Sequence, residues 1–132
     1  MKNAKTIALL TLLALGVACG YSSHATTPPA AGNMPNIGSL IPNSATAGTS
    51  LGTNGLMVTG TSFNGNAVVN WNGTALTTTF VSATQLTATV PNTDTAASGT
   101  AKVTVTNPGT VGGTYGGGTA PETSQAATFT VN

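Results

Sequence analysis

The sequence predicts an all-β fold, a two-layer β-sandwich of about seven short strands. From Pro35 onward, apolar and polar residues alternate in short runs, which is the period of a strand with one buried face. Gly, Asn and Pro separate these runs, as turns between strands require. Outside the N-terminal segment, no apolar stripe repeats at the 3.6-residue period of an amphipathic helix. These observations indicate one folded domain over residues 35–132.

The apolar member of each alternation is expected to point into the core. Asn72-Gly73 predicts a type I′ hairpin turn, with Leu76 and Phe80 on the returning strand. Gly60, like Gly73, is assigned to a tight backbone turn. In chain order, the residues predicted to form the core are Ile37, Leu40, Leu56, Val58, Phe63, Ala67, Val69, Trp71, Leu76, Phe80, Leu86, Ala88, Val90, Ala101, Val103, Val105, Phe129 and Val131.

Trp71 is the single tryptophan of the chain, and it allows two interpretations. An exposed tryptophan would be a platform on which a sugar ring stacks, whereas a buried one would be the core tryptophan of a sandwich. Trp71 shares its parity along the strand with Val69 and Ala67. We therefore favour the core position.

Residues 1–18 have the three parts of a secretory signal peptide. Lys2 and Lys5 supply the positive end, and an apolar stretch runs from Ile7 to Leu15. Small residues follow in Gly16-Val17-Ala18. The apolar stretch is much shorter than the ~20 residues that a membrane-spanning helix needs. Export is therefore expected.

Cys19, the sole cysteine, follows this stretch directly, and the surrounding residues resemble a bacterial lipobox. The resemblance implies that the Cys19 thiol is diacylated and becomes the mature N-terminus. Ala18 and Val17 fit the lipobox pattern, whereas Gly16 stands where leucine is usual. Ordinary signal peptidase cleavage with secretion is the alternative. Lipidation is favoured, because it removes an unpaired thiol from an oxidising compartment.

Residues 19–34 are predicted to be a flexible linker between the lipid anchor and the domain. The segment is small, polar and proline-containing, and it has no periodicity. His24 lies here, and a lone histidine is no metal site because metal binding needs several converging ligands.

The inventory of ionisable residues excludes several classes of function. After the signal peptide, Lys102 stands against Asp94 and Glu122, a formal charge of −1. Catalysis needs two or three such groups at one point, so the sequence predicts a protein that is not an enzyme and that has no catalytic, cofactor or metal site. Nucleic-acid binding requires a basic face, which one lysine cannot build.

Five segments, taken in order, resemble the IPT/TIG domain, an immunoglobulin-like fold of the early-set type. They are Pro35–Ser44, Val58–Phe63, Val69–Thr74, Gln85–Pro91 and Val103–Pro108. The resemblance covers residues 35–132 and implies binding or spacing rather than catalysis. Such domains occur in cell-surface receptors, in DNA-binding transcription factors, beside starch-acting catalytic modules and in bacterial surface proteins. Fold alone does not choose among these.

One segment departs from the family pattern. A short turn is usual between the last two strands, but here a glycine-rich loop runs from Gly109 to Gln125. Tyr115 lies within it and is a possible contact residue, since binding residues concentrate on loops. The alternative, which we favour, is a mobile insert that the fold does not need.

The leading functional hypothesis is a non-catalytic binding or adhesion module held on a bacterial membrane by its N-terminal lipid. Gly20 after the cysteine favours the outer membrane, with secretion as the alternative. The partner is an unknown protein or polysaccharide. A structural role through uncovered sheet edges and a carbohydrate-binding role are the alternatives.

Overall fold

A computed structural model describes residues 29–114 and 116–132. All regular structure in this part of the chain is β, and no helix in it is long and apolar enough to cross a membrane. Seven strands have four or more residues, as predicted, and three have two. The strands are β1 (Asn36–Ile41), β2 (Ser44–Ala45), β3 (Leu56–Thr61), β4 (Val68–Trp71), β5 (Thr74–Ala75), β6 (Thr77–Ser82), β7 (Gln85–Thr89), β8 (Gly99–Asn107), β9 (Glu122–Thr123) and β10 (Ala127–Val131).

The strands form two sheets packed face to face. One sheet has the order β1-β3-β7-β6 and is antiparallel throughout. The other has the order β2-β10-β8-β4-β5, with β9 paired to β8. Only β2 and β10 run parallel among these pairs. This arrangement confirms the predicted immunoglobulin-like sandwich.

The core lies between the sheets and consists of the predicted alternating residues, with two differences. Trp71 is 3% exposed, and its ring centroid lies 4.9 Å from that of Phe129, so the core interpretation of Trp71 is confirmed. Ile37 is only partly buried, because β1 is an edge strand. Phe80, expected in the core, is 40% exposed.

Phe80 was expected on a strand paired with β4, and that expectation is wrong because the chain changes sheets. β5 pairs with β4 for two residues only, and β6 then pairs with β7 in the other sheet. The switch occurs at Leu76, which is buried and donates its N–H to the Val69 carbonyl at 2.8 Å. Thr78 Oγ1 then accepts from Val69 N–H at 2.9 Å. The bond at Leu76 extends the β4–β5 hairpin, and the Thr78 side chain, which belongs to β6, joins the two sheets at this point.

The two glycines assigned to turns have different roles. Asn72 and Gly73 have φ values of 49° and 87°, so both central residues of the predicted hairpin are left-handed, as a type I′ turn requires. Gly60 is in no turn, since it lies within β3. A side chain there would meet the Asn36 carbonyl oxygen and the Phe63 ring. Gly60 therefore permits a close approach of β1 and Phe63.

The sandwich has two distinct ends. The entry end contains the start of β1, the β3–β4 loop (residues 62–67), the β6–β7 turn and the long loop after β8. The far end contains residues 46–55, the β4–β5 turn, residues 90–98 and the C-terminal residue Asn132. The nine residues of β8 separate the two ends by about 30 Å at the usual rise of a strand.

Asn107 joins three chain segments at the entry end. Its side chain is buried, and its Nδ2 donates to the carbonyl oxygens of Asn33 and Ser62, both at 2.7 Å. Its Oδ1 accepts from Asn64 N–H at 3.1 Å. Ser62 has a φ of 64°, so this amide also stabilises a left-handed residue. Asn33 belongs to the predicted linker, whose last residues are thus hydrogen-bonded to the domain.

The loop between Gly109 and Gln125 has a structured base. Thr110 and Thr119 exchange backbone hydrogen bonds, each 3.1 Å long. Glu122–Thr123 forms β9 against β8, and the buried Ser124 Oγ accepts from Val105 N–H at 2.9 Å. The expectation of an insert that the fold does not need is therefore wrong for residues 119–125. These residues are held in place because they form hydrogen bonds with the C-terminal half of β8.

Candidate functional site

The described part of the chain holds three ionisable side chains, and they do not converge. Asp94 lies at the far end, Glu122 pairs with Asn107 at the entry end, and Lys102 is exposed on β8. Over residues 29–114 and 116–132, no three His, Cys, Asp or Glu residues are grouped so as to hold a metal ion. The surface of the domain therefore offers shape and hydrogen bonds rather than charge.

One depression opens on the outer face of the four-stranded sheet near the entry end. Its volume is about 470 Å³, and its lining consists of hydroxyl and amide side chains together with two glycines. Such a lining carries no nucleophile with an adjacent base. It can contact a neutral polar group and offers no reactive chemistry. The lining residues are Asn36, Gly38, Thr59, Gly60, Thr61, Thr84 and Gln85.

The free edge of β6 is the most distinctive surface of the domain. β6 is the last strand of its sheet, and among the described residues its ladder partner is β7 alone. An edge strand presents unpaired backbone N–H and C=O groups to any chain that can extend the sheet. The sequence of β6, Thr-Thr-Thr-Phe-Val-Ser, contains no charge and no proline. It therefore lacks two of the usual devices that prevent edge pairing.

Two apolar side chains mark this edge. Phe80 lies opposite the buried Leu86 in the ladder but is 40% exposed, since no further strand covers it. Val81 is 52% exposed and is the extra residue of a bulge between Phe80 and Ser82. The bulge interrupts the edge only near its end. Residues Thr77 to Phe80 keep a regular register with β7.

The other edges differ from β6. β2 and β5 have two residues each, and short edge strands pair poorly with other chains. β1 has six residues, but its register shifts at Gly38 between Ile37 and Ser39. The longest regular, uncharged edge with exposed apolar side chains is therefore that of β6.

Comparison with protein families decides the classification. The model of the IPT/TIG domain matches residues 35–130. The chain belongs to the IPT/TIG family. IPT/TIG domains are immunoglobulin-like modules without catalytic activity of their own. The resemblance carried by the five sequence segments is thus confirmed over almost the whole described domain. No curated protein and no solved structure matches the chain significantly.

The predicted site residues have different outcomes in this IPT/TIG domain. Cys19, His24 and Tyr115 lie outside the described residues, so the lipidation site and the contact residue stay predictions. Trp71 is buried, which removes it as a sugar-stacking platform. The exposed aromatic ring in the described residues is that of Phe80, although the sequence pattern predicts a core position for it.

The β6 edge was missed at the sequence level for a physical reason. A hairpin turn at Asn72-Gly73 predicts a continuous returning strand that contains both Leu76 and Phe80. The sequence feature that indicates an exposed strand is the run Thr77–Ser82. It lacks the polar–apolar alternation of a strand with one buried face.

Proposed function

We propose that this chain is a non-catalytic binding module of the bacterial envelope, anchored by a lipid on Cys19, that binds an extended segment of a partner protein at the β6 edge. The family supports the non-catalytic module. The residues around Cys19 support the anchor. The single observation that carries the binding mode is the regular, uncharged edge of β6 with Phe80 and Val81 exposed.

Strand addition supplies both affinity and selectivity in this arrangement. Main-chain hydrogen bonds to β6 would hold an extended segment, and alternate side chains of that segment would meet Phe80 and its neighbours. The domain has few charges, so neither charge complementarity nor steering selects the partner. An uncharged segment rich in β-branched or apolar residues fits this edge. Because β6 carries no charge, pairing with such a segment buries no unpaired charge on either strand.

The anchor is tested by the mass of the mature protein isolated from membranes. We expect a chain that starts at Cys19 and carries acyl groups, since two acyl chains give stable membrane attachment. Cys19→Ser should release the protein from the membrane fraction or block its processing. An unmodified, soluble protein that begins at Cys19 or later would contradict the anchor.

The binding edge is tested by replacing Phe80 with a photoreactive phenylalanine analogue in the full-length protein on native membranes. The aromatic ring is kept, so the edge keeps its shape. We expect a cross-linked product that disappears when Val81→Lys is added, because a charge on an edge strand opposes pairing. Thr93→Lys, on the exposed far end, is the matched control and should leave the product unchanged. A product insensitive to Val81→Lys would contradict binding at β6.

Assembly of identical copies through the same edge is the second candidate function. It is favoured by the absence of charge in Thr77–Ser82, since two antiparallel β6 strands would meet no like charges. The low net charge also lowers the barrier to association. Mass analysis of the Phe80 cross-link separates the two candidates, because assembly predicts a product of two copies linked near β6.

A further inference from the structure

The chain enters the sandwich directly beside the glycine-rich loop. Ala30 forms a bridge with Thr119, and the Ala120 N–H donates to the Ala30 carbonyl at 3.0 Å. Asn107 holds Asn33 a few residues further along. Residues 30–33 are therefore fixed to the entry end at the base of the loop. The chain that precedes Pro29 starts from this point.

The loop itself exposes an apolar residue and carries no charge. Val111, next to the Thr110–Thr119 pair, is 99% exposed. No ionisable side chain occurs between Lys102 and Glu122 except the phenol of Tyr115. Gly112 and Gly113 follow Val111 directly, so little bulk shields it. Because this tip carries no charge, its transfer from water to the membrane interface costs little desolvation free energy.

We propose that Val111 contacts the surface of the lipid bilayer, so that the entry end faces the membrane and the far end faces away. This inference rests on the proposed anchor at Cys19. The partner of the loop is thus a lipid surface and not a protein. The loop then orients the domain instead of recognising the binding partner.

The length of the connecting chain supports this orientation. Nine residues lie between Cys19 and Pro29, and the ten residue steps from one to the other span at most ~33–36 Å when fully extended. The sandwich is about 30 Å long by the rise of β8. If the far end lay on the bilayer, the chain from Cys19 to Pro29 would have to be almost fully extended to reach the entry end. If the entry end lies on the bilayer, the same chain needs no extension. The anchor also keeps the local concentration of lipid around Val111 high, so a weak contact suffices.

The test uses the acylated full-length protein in phosphatidylethanolamine–phosphatidylglycerol vesicles. Acylation occupies the Cys19 thiol, the sole native one, so Val111→Cys supplies one free thiol for an environment-sensitive fluorophore. Ser98→Cys, exposed at the far end, is the matched control. Both positions are exposed, so neither substitution should affect folding. We expect a blue-shifted emission at Val111 and several-fold stronger quenching by spin-labelled lipid than at Ser98.

The possible outcomes separate this inference from the anchor. If the protein floats with the vesicles but the Val111 label is quenched no more than the Ser98 label, the lipid contact is wrong and the anchor stands. If the protein does not float with the vesicles, the anchor fails, and the orientation that depends on it fails too. Flotation together with selective quenching at Val111 supports both.

Discussion

Individual residues of the entry end show how one buried amide can organise several loops. Asn107 contacts Asn33, 74 residues earlier in the sequence, and Ser62, 45 residues earlier. No local pattern reveals such partners, since Asn107 stands where a strand ends and would serve equally well as a solvated turn residue. The alternation Ala101, Val103, Val105 was predictable because it depends on the strand period alone.

Asn107→Ala should destabilise the domain by about 1–3 kcal/mol, because the partly buried carbonyl groups of Asn33 and Ser62 lose their hydrogen-bond donor. Chemical denaturation followed by tryptophan fluorescence measures the change. Asn66→Ala is the control: Asn66 is exposed, and its loss should cost less than about 0.5 kcal/mol. Equal effects of the two substitutions would show that the Asn107 amide does not hold the loops together.

Gly60→Ala should cost more than about 2 kcal/mol, since a methyl group would meet the backbone of Asn36 and the ring of Phe63. The matched control is Gly65→Ala, where a methyl group would meet nothing within 4 Å. Thermal unfolding of both variants checks the prediction. The control should unfold within a few degrees of the parent. If Gly60→Ala were as stable as Gly65→Ala, β1 and β3 would not approach as closely as described.

Trp71 should show a blue-shifted emission that acrylamide quenches poorly, because its side chain is 3% exposed and lies against Phe129. Trp71→Ala should cost about 3–5 kcal/mol, which is enough to unfold a domain of ordinary stability. Trp71→Phe is the gentler variant that should remain folded. A freely quenched, red-shifted spectrum would instead place the indole in solvent.

At the scale of the elements, the sequence was informative where local chemistry decides the structure. Asn72-Gly73 forms the predicted turn because both residues accept positive φ. The sheet switch at Leu76 was not predictable in this way. It depends on the pairing of β6 with β7 in the other sheet and on the bond from Val69 N–H to the Thr78 side chain, neither of which a hairpin pattern indicates. The exposed β6 edge is a consequence of that switch.

The loop after β8 should divide into a dispensable tip and a required base. Replacing residues 111–118 with an Asn-Gly turn keeps the Thr110–Thr119 pair and should leave the melting temperature within a few degrees, since loop length costs little. Ser124→Ala should cost about 1–3 kcal/mol, because the buried Val105 N–H loses its acceptor. Differential scanning calorimetry compares the two. Unfolding caused by the tip replacement would mean that the tip packs against the sandwich.

At the scale of the whole molecule, the proposed functions occupy different parts of one β-sandwich. The entry end carries the incoming chain and Val111, the β6 edge carries the unpaired strand, and the C-terminal residue Asn132 lies at the far end beside Ala45. A lipid-bound entry end would leave β6 extending away from the bilayer along the side of the domain. A partner segment could then pair with β6 without displacing the membrane contact.

Hydrogen–deuterium exchange tests strand addition at β6 most directly, without knowledge of the partner. The exchange of backbone amides in Thr77–Ser82 is compared between the purified full-length protein and the same protein on native membranes. We predict slower exchange of the β6 amides on the membranes, because an added strand accepts their hydrogen bonds. The amides of the central strand β8 should be protected equally in both samples. Identical exchange of β6 in the two samples would contradict the account.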